Sequence, residues 1–224
     1  QASEPVSHTE TYSYDAFGRR TGKRCIRAAN GSAQISPAQQ IQEESWLWQG
    51  ATMAVQSRRY ADGRREHLSW HYAPGSFTPL AVSRQLNDDA STLLYVVSDH
   101  LGTPRELVNA NGQVVWAAQL QTWGRLNRCW QQRAANDADQ LDIDLRFPNQ
   151  WHDPESGLHY NYQRYYDPEI GQYCSPDPIG IAGGLRPQGY VHNPGEWCDP
   201  LGLSGCKPVK NSAGNVVSRR FVKN

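Results

Sequence analysis

Two short motifs of one composition lie near the carboxyl end of the sequence, beginning at Asp177 and at Asp199. Each reads Asp-Pro-x-Gly, and eighteen residues separate them. Asp favours the first position of a β-turn, Pro fixes φ at the second, and Gly suits the fourth. Each motif therefore predicts a tight turn. The second turn, over residues 199–202, is expected to bring the Asp199 carboxylate close to the Leu203–Ser204 peptide bond.

A pair of carboxylates gives these turns a chemical interpretation. Two carboxylates held close together cannot both ionise easily, so they share a proton. Such a pair can activate water and protonate an amide nitrogen, which is the chemistry of an acid-type protease. Asp177 and Asp199 are therefore candidate catalytic residues, and Leu203–Ser204 is the candidate cleavage site. Spacing alone also fits two purely structural turns, because Asp-Pro recurs at 153–154 and 167–168.

The segment SPDPIGIAGGLRPQGYVHNPGEWCDPLGL resembles the end of the core of Rhs-repeat proteins. That family includes polymorphic toxins of bacteria and the C subunits of insecticidal ABC toxins. It carries the same two motifs at the same spacing, and it cuts itself after the leucine of the second motif. The resemblance therefore implies a single-turnover, intramolecular, aspartyl-type autoproteolysis after Leu203. It does not imply a conventional multiple-turnover enzyme.

The sequence departs from the family pattern at two places. Pro176 stands where the family often has Arg, directly before the first Asp. After Gly-Gly-Leu, residues 186–188 read Arg-Pro-Gln in place of the usual Asn-Leu-Tyr. If the usual Arg polarises the scissile carbonyl, its absence bears on the cleavage rate, and Arg186 is the candidate supporting residue.

Composition limits the classes of partner. The 224 residues suffice for one large or two small domains. Lys plus Arg equals Asp plus Glu at 22 each, so neither nucleic acid nor an anionic membrane is the expected main partner of the core. No stretch approaches the 18 apolar residues of a membrane span. Because the chain begins at Gln1 and its only Met is Met53, we expect a fragment or a product of processing.

Cysteine and acidic residues suggest no metal or cofactor. Five scattered cysteines show no CxxC or Cys/His spacing, which predicts thiols in a protein made in a reducing cytoplasm. Cys198, beside Asp199, could be a nucleophile, but a filling role is the preferred interpretation. Residues 131–144 lack the glycine and terminal Glu of a calcium loop, so a solvated loop is predicted there. The acidic residues of that loop are Asp137, Asp139, Asp142 and Asp144.

Alternating aromatic and polar residues with turn signals predict an all-β fold built from hairpins. The units are residues 12–24, 52–72, 93–126 and 145–173. Each is too small to bury its own face, so neighbouring units must stack. Residues 12–21 resemble the YDxxGR unit of YD-repeat proteins, and residues 93–126 and 145–173 resemble later Rhs phrases. The resemblance implies antiparallel hairpin repeats forming part of a spiral sheet that encloses a hollow shell.

Two side-chain groups in these units have alternative interpretations. His100, in the phrase HLGTPR, could be a catalytic base, but a turn histidine bonded to the backbone is the preferred interpretation. The tyrosines of 160–166 could stack nucleobases, but packing against neighbouring strands is preferred.

The predicted division is 1–144 for the hairpin region, 145–203 for the core-associated region with the cleavage motif, and 204–224 for the start of a variable toxin or a stub. Residues 204–224 hold five Lys or Arg and no acidic residue, and a solvated linker is the alternative interpretation. The resemblance implies a shell that encapsulates a C-terminal toxin and releases it by cleavage. A non-catalytic YD-repeat structural or binding module is the alternative function.

The resemblance also implies partners and a location. The partners are the protein's own C-terminal toxin, the remaining N-terminal part of the shell, a secretion spike protein and a cognate immunity protein. Synthesis in the bacterial cytoplasm would precede secretion, by a type VI system, or delivery to a target cell. The roles implied are competition between bacteria or insecticidal delivery.

Overall fold

The structure is a computed structural model that describes residues 8–27, 40–132, 140–210 and 216–221. These residues form antiparallel β-sheets and contain no α-helix. A short 3-10 helix covers Gly180–Gly183. Among the described residues, no helix is long and apolar enough to cross a membrane. The prediction of an all-β, hairpin-built fold is confirmed.

The largest sheet is a ten-stranded meander in which each strand pairs with the next along the chain. Four shorter strands form a second sheet in sequence order, and two form a third. The strands of the first sheet are β1 His8–Tyr14, β2 Arg20–Arg27, β3 Ile41–Gln49, β4 Thr52–Tyr60, β5 Arg65–Tyr72, β6 Pro79–Leu86, β7 Thr92–Ser98, β8 Pro104–Val108, β9 Val114–Leu120 and β10 Leu126–Gln131. The others are β11 Trp151–His152, β12 His159–Asn161, β13 Arg164–Asp167, β14 Gln172–Tyr173, β15 Cys206–Lys210 and β16 Val216–Phe221.

The turns between strands repeat one local chemistry. The carbonyl oxygens of Asp15, Asp99 and Asn109 each accept a bond of 3.0 Å from the amide of the glycine three positions on. In each case the glycine has a positive φ, which residues with a Cβ rarely adopt. The Asp-x-x-Gly and Asn-Gly signals therefore fix the hairpins predicted at 12–24 and 93–126. In the hairpin predicted at 52–72, the Gly63 amide donates to the Tyr60 carbonyl at 3.0 Å in the same way.

One face of the large sheet is covered by the segment that follows it. Trp46, Leu107 and Trp116 from the strands pack in one core with Ile143 and Leu145. The prediction of a solvated loop over 131–144 is therefore wrong for Leu141, Ile143 and Asp144, which are buried, whereas Asp142 is exposed. Residues 133–139, with Asp137 and Asp139, lie outside the described residues.

Charged side chains are also buried under this segment. The Arg58 guanidinium pairs with Glu44 at 3.0 Å, with Glu66 at 3.1 Å, and with Asp144. Each of these side chains is at most 11% exposed. A buried charge is tolerated when it is paired and hydrogen-bonded, so the Arg58–Asp144 pair holds the segment that contains Asp144 against the sheet.

His100 and the tyrosines of 160–166, which had alternative interpretations, have structural roles. His100 bonds through Nε2 to the Gly195 carbonyl at 2.7 Å, as predicted for a turn histidine. Tyr160 and Tyr166 are at most 1% exposed and pack edge-on against neighbouring rings, as predicted for a packed aromatic face.

Candidate functional site

The two Asp-Pro-x-Gly motifs form the predicted turns. The Gly180 amide donates to the Asp177 carbonyl at 3.0 Å, and the Gly202 amide donates to the Asp199 carbonyl at 3.5 Å. Asp177 also accepts the Ile179 amide on Oδ1 at 3.0 Å. Both turns pack against the hairpin of β12 and β13, so the two motifs are brought to one place.

That hairpin contacts the second turn closely. Tyr162, between β12 and β13, has φ of +51°, and the Gln163 amide donates to the Leu201 carbonyl at 3.4 Å. A Cβ on Gly202 would lie 2.5 Å from the Asn161 carbonyl oxygen. Only glycine permits this approach, and Gly202 also has φ of +68°. The final Gly of the motif is therefore required by tertiary contact as well as by its turn.

Arg164 connects the two carboxylates. Its Nη2 lies 2.8 Å from Asp177 Oδ2 and 3.7 Å from Asp199 Oδ2. Its Nε donates to the Gly202 carbonyl at 2.6 Å, and its Nη1 donates to the Pro187 carbonyl at 3.0 Å. The guanidinium is 1% exposed and lies over the Tyr173 ring. One rigid cation thus holds both carboxylates and the backbone next to the candidate bond.

Asp199 is the more deeply placed acid. Its side chain is 1% exposed. Oδ1 accepts the Leu203 amide at 3.0 Å, and Oδ2 accepts the Tyr173 hydroxyl at 2.9 Å. Burial raises the pKa of Asp199 above its usual value, although these hydrogen bonds and Arg164 act to lower it. Asp199 therefore keeps a proton to a higher pH than an exposed aspartate does.

Tyr173 is held by its own partners. Burial and the neighbouring Asp199 raise the pKa of Tyr173, so the phenol stays protonated and donates its hydrogen bond. The Asn161 amide donates to the Tyr173 hydroxyl and to the Asp199 carbonyl, both at 2.8 Å. The Asp199 carboxyl is therefore fixed in position through Tyr173 as well as through its own turn.

Asp177 lies beside the candidate scissile carbonyl. A Cβ placed on Gly183 would be 2.5 Å from the Asp177 carboxyl carbon and 2.6 Å from the Leu203 carbonyl oxygen. The Asp177 carboxyl carbon and the Leu203 carbonyl oxygen are therefore separated by no more than these two distances added together. Together with the hydrogen bond from the Leu203 amide to Asp199, this places Asp177, Asp199 and the backbone of Leu203 in one site.

Sequence reasoning missed three residues of this site and gave weight to another. Arg164, Tyr173 and Gly183 have no catalytic spacing relative to the motifs. Arg164 stands in the phrase RYYDP, which was assigned to an aromatic strand face, and that phrase was the available signal. Arg186 is exposed and forms no ion pair with either carboxylate among the described residues. Its supporting role stays a prediction from sequence.

One group of possible metal ligands lies elsewhere, at Glu10, Cys25 and Glu155. Burial and the neighbouring Glu155 raise the pKa of the Cys25 thiol to about 12, so the thiol stays protonated. The Lys23 ammonium lies 2.8 Å from Glu155 and supplies the positive charge at this place. The group is therefore better suited to an ion pair than to a metal ion.

Comparison with known proteins finds relatives over most of the chain. The family described as RHS protein matches residues 94–130. The probable deoxyribonuclease RhsA of Dickeya dadantii is 38% identical over 213 residues, which are 93% of this chain and 13% of the relative. The toxin protein Tse5 of Pseudomonas aeruginosa is 30% identical over 221 residues, covering 86% of this chain and 15% of the relative.

A solved structure shows the same fold. The crystal structure of TcdB2-TccC3-TEV aligns with a TM-score of 0.66 and 24% identity, covering 87% of this chain and 9% of that chain. The fold is all-β and the sequence relatives are Rhs proteins and toxins, so the class that this chain resembles is the Rhs-repeat region. More particularly, the chain is similar in sequence to RhsA and Tse5, and its fold is that of the matching part of TcdB2-TccC3-TEV. The chain therefore spans only 13% of the length of RhsA and 15% of the length of Tse5.

Proposed function

We propose that this chain is part of an Rhs shell that encloses a C-terminal toxin and releases it by cutting the Leu203–Ser204 bond. The observation that carries the proposal is that Arg164 contacts both Asp177 and Asp199, and that the backbone of Leu203 lies beside these two carboxyl groups. The relatives named as toxins support the delivery role, including a double-stranded DNA deaminase toxin in Burkholderia cenocepacia. Delivery to a target cell follows from that role.

The two carboxyl groups take different roles. Asp177, ion-paired with Arg164, is the carboxylate that activates water beside the Leu203 carbonyl. Asp199, whose pKa burial raises, is the acid that gives a proton to the Ser204 nitrogen. The hydroxyl of water is added to the Leu203 carbonyl carbon, and the Ser204 amine leaves. Because the chain positions its own bond, no separate substrate pocket is needed.

This division of roles revises the expectation of a proton shared between two carboxylates. Arg164 contacts both, so its positive charge offsets the repulsion that would otherwise force sharing. The main cause of the raised pKa of Asp199 is burial. A rise in pH that removes the Asp199 proton is therefore expected to slow cleavage.

The proposal is tested by the intact mass of the purified protein. We expect two polypeptides, residues 1–203 and 204–224, with the second beginning at Ser204. Asp177→Asn and Asp199→Asn should each leave one uncut chain. Asp167→Asn is the matched control, because Asp167 also precedes a proline and bonds a nearby backbone amide, at Glu169, but lies outside the site.

An uncut wild-type chain at mildly acidic and neutral pH would remove the proteolytic role. The chain would then be better described as a non-catalytic Rhs module whose Asp-Pro turns are structural. Cleavage that persists in both Asp177→Asn and Asp199→Asn would assign the reaction to other residues.

A further inference from the structure

Two buried cysteines lie on opposite sides of the proposed cleavage bond. Cys198 precedes Leu203 in the chain, and Cys206 follows Ser204. Both are 0% exposed, and their Sγ atoms are 3.8 Å apart. The site therefore places one thiol on each of the two polypeptides that cleavage would produce.

The backbone holds these residues in register. The Cys198 amide donates to the Cys206 carbonyl at 3.1 Å, and the Cys206 amide donates to the Cys198 carbonyl at 2.7 Å. This exchange of two bonds defines an isolated antiparallel bridge between the two residues. Directly opposed residues of such a pair have Cα atoms about 5.5 Å apart and side chains on the same face. That separation lies inside the range of about 4.4–6.8 Å that a disulfide needs.

We propose that Cys198 and Cys206 are a disulfide site that keeps the two products of cleavage covalently joined. The proposal rests on the proposed function for its consequence, because a link across Leu203–Ser204 matters only when that bond is cut. The disulfide itself depends only on the geometry of the bridge. Reduction would then release the carboxyl-terminal product.

The chemistry balances with a small-molecule disulfide as oxidant. The thiolate of one cysteine attacks a sulfur of that oxidant, giving a mixed disulfide and one small-molecule thiol. The second cysteine then attacks the protein sulfur, so the Sγ–Sγ bond forms and a second small-molecule thiol leaves. Overall the two cysteines lose two protons and two electrons, and the oxidant gains them. Oxidising conditions outside the cytoplasm favour this direction.

A neighbouring buried sulfur makes this site different from the other cysteines. Cys129 and Cys174 are exposed and Cys25 is buried, and none of these three has a sulfur contact like that between Cys198 and Cys206 among the described residues. Cys198 and Cys206 are enclosed, so an oxidant reaches them during folding or when the short bridge opens. Once formed, the disulfide is shielded from reductants in the same way, and its release is tied to opening of the bridge.

The experiment uses oxidised glutathione as the probe and intact mass as the readout. Wild-type protein is refolded with oxidised glutathione, alkylated under denaturing conditions and measured before and after a reductant. We expect one mass before reduction and two after it. Cys206→Ala should give two masses in both states, and the Cys129→Ser/Cys174→Ser control should behave as wild type.

The uncut Asp177→Asn chain separates this proposal from the proposed function. After the same treatment, it should lack alkylation at Cys198 and Cys206 and be lighter than its reduced form by two hydrogen atoms. This measurement does not require cleavage, so it tests the disulfide even if the wild-type chain is never cut. Full alkylation of both cysteines in oxidised Asp177→Asn, with separate wild-type products before reduction, would overturn the disulfide site.

Discussion

Gly183 has no side chain, and the candidate site depends on the space that this leaves. The space above Gly183 adjoins both the Asp177 carboxyl and the Leu203 carbonyl, and any Cβ would fill it. Real Cβ atoms essentially never come within 3.0 Å of such neighbours. A glycine is therefore required here because a Cβ would clash with its neighbours. Gly183 does not have a positive φ, so its backbone conformation alone does not require glycine.

Gly183→Ala is expected to slow cleavage on the order of a hundredfold or more, because it displaces the reacting groups by a large fraction of an ångström. The measurement is the time course of uncut chain after refolding, followed by intact mass. Gly22→Ala is the matched control, since its Cβ would meet only ordinary contacts at 3.7 Å or more, far from the site. Equal rates in both variants would show that the space beside Gly183 has no part in the reaction.

The two aspartates of the site could be predicted from the sequence, but the residues that contact them could not. Asp177 and Asp199 are visible because Asp, Pro and Gly each have a local role in a turn. Arg164 and Tyr173 reach the site only because the β12–β13 hairpin and β14 pack beneath the turns. Their roles depend on tertiary contacts that leave no fixed spacing in the chain.

Among the structural elements, residues 141–155 join the large sheet through both apolar and charged contacts. The segment supplies apolar side chains to the core and carboxylates to buried cations of the strands. Asp153 pairs with Arg20 at 2.6 Å and with Lys23 at 3.3 Å. The sequence predicts a solvated Asp144 because buried ion pairs are rare and the partners of Asp144 are distant in sequence.

Arg58→Ala is expected to destabilise the fold by about 3–5 kcal/mol, because it leaves buried carboxylates without their cation. Chemical denaturation of the uncut Asp177→Asn chain gives the measurement without interference from cleavage. Arg65→Ala is the control, since the Arg65–Asp88 pair is exposed at 52% and 91% and should contribute below about 1 kcal/mol. Similar losses in the two variants would contradict a structural role for the buried pairs.

Acid is expected to weaken the same element. Burial acts to raise the pKa of Asp144, but Arg58 and Arg146 outweigh it and lower that pKa to about 2. An unfolded aspartate titrates near pH 3.9, about two units higher. A depressed carboxyl pKa stabilises the fold above the unfolded value, and that stability is lost as pH falls towards 2.

Thermal unfolding between pH 7 and pH 2.5 tests this expectation. The wild-type midpoint should fall steeply below about pH 4. Asp144→Asn should have a lower midpoint at pH 7 and a shallower slope below pH 4. A slope as steep as that of wild type would assign the acid sensitivity to other carboxylates, such as Glu66, whose pKa the nearby Arg58 and Arg84 lower despite its burial.

At the scale of the whole molecule, the two edge strands of the large sheet determine where another chain can pair with it. Among the described strands, β1 and β10 lie at its two edges. An edge strand presents unpaired backbone groups that can pair with another chain. On β10, Trp130 is 53% exposed and adds apolar surface to that edge.

We expect the isolated chain to self-associate through β10, and Trp130→Lys to reduce the associated fraction because charge disfavours edge pairing. Sedimentation velocity at several concentrations gives that fraction. Leu80→Lys makes the same chemical change at a similarly exposed position on β6, inside the sheet, and should have little effect. A larger effect at Leu80 would point to the sheet face as the contact.

The overall fold could be predicted further than the site. Alternation and turn signals are local, so they identify the hairpins at 12–24, 52–72 and 93–126. The division at 144/145 stays a prediction. Ile143 and Leu145 lie on either side of it and share one core with the large sheet. Burial of that segment depends on a face formed by strands far away in the sequence, which no local pattern records.

The contacts at Arg164 have a consequence for timing. The guanidinium needs the β12–β13 hairpin, the turn at Asp177 and the backbone at Gly202, and all three must be folded before its contacts exist. Under the proposed function, scission therefore serves as a checkpoint on assembly. A nascent or misassembled chain keeps its cargo attached, and only a correctly finished one lets it go.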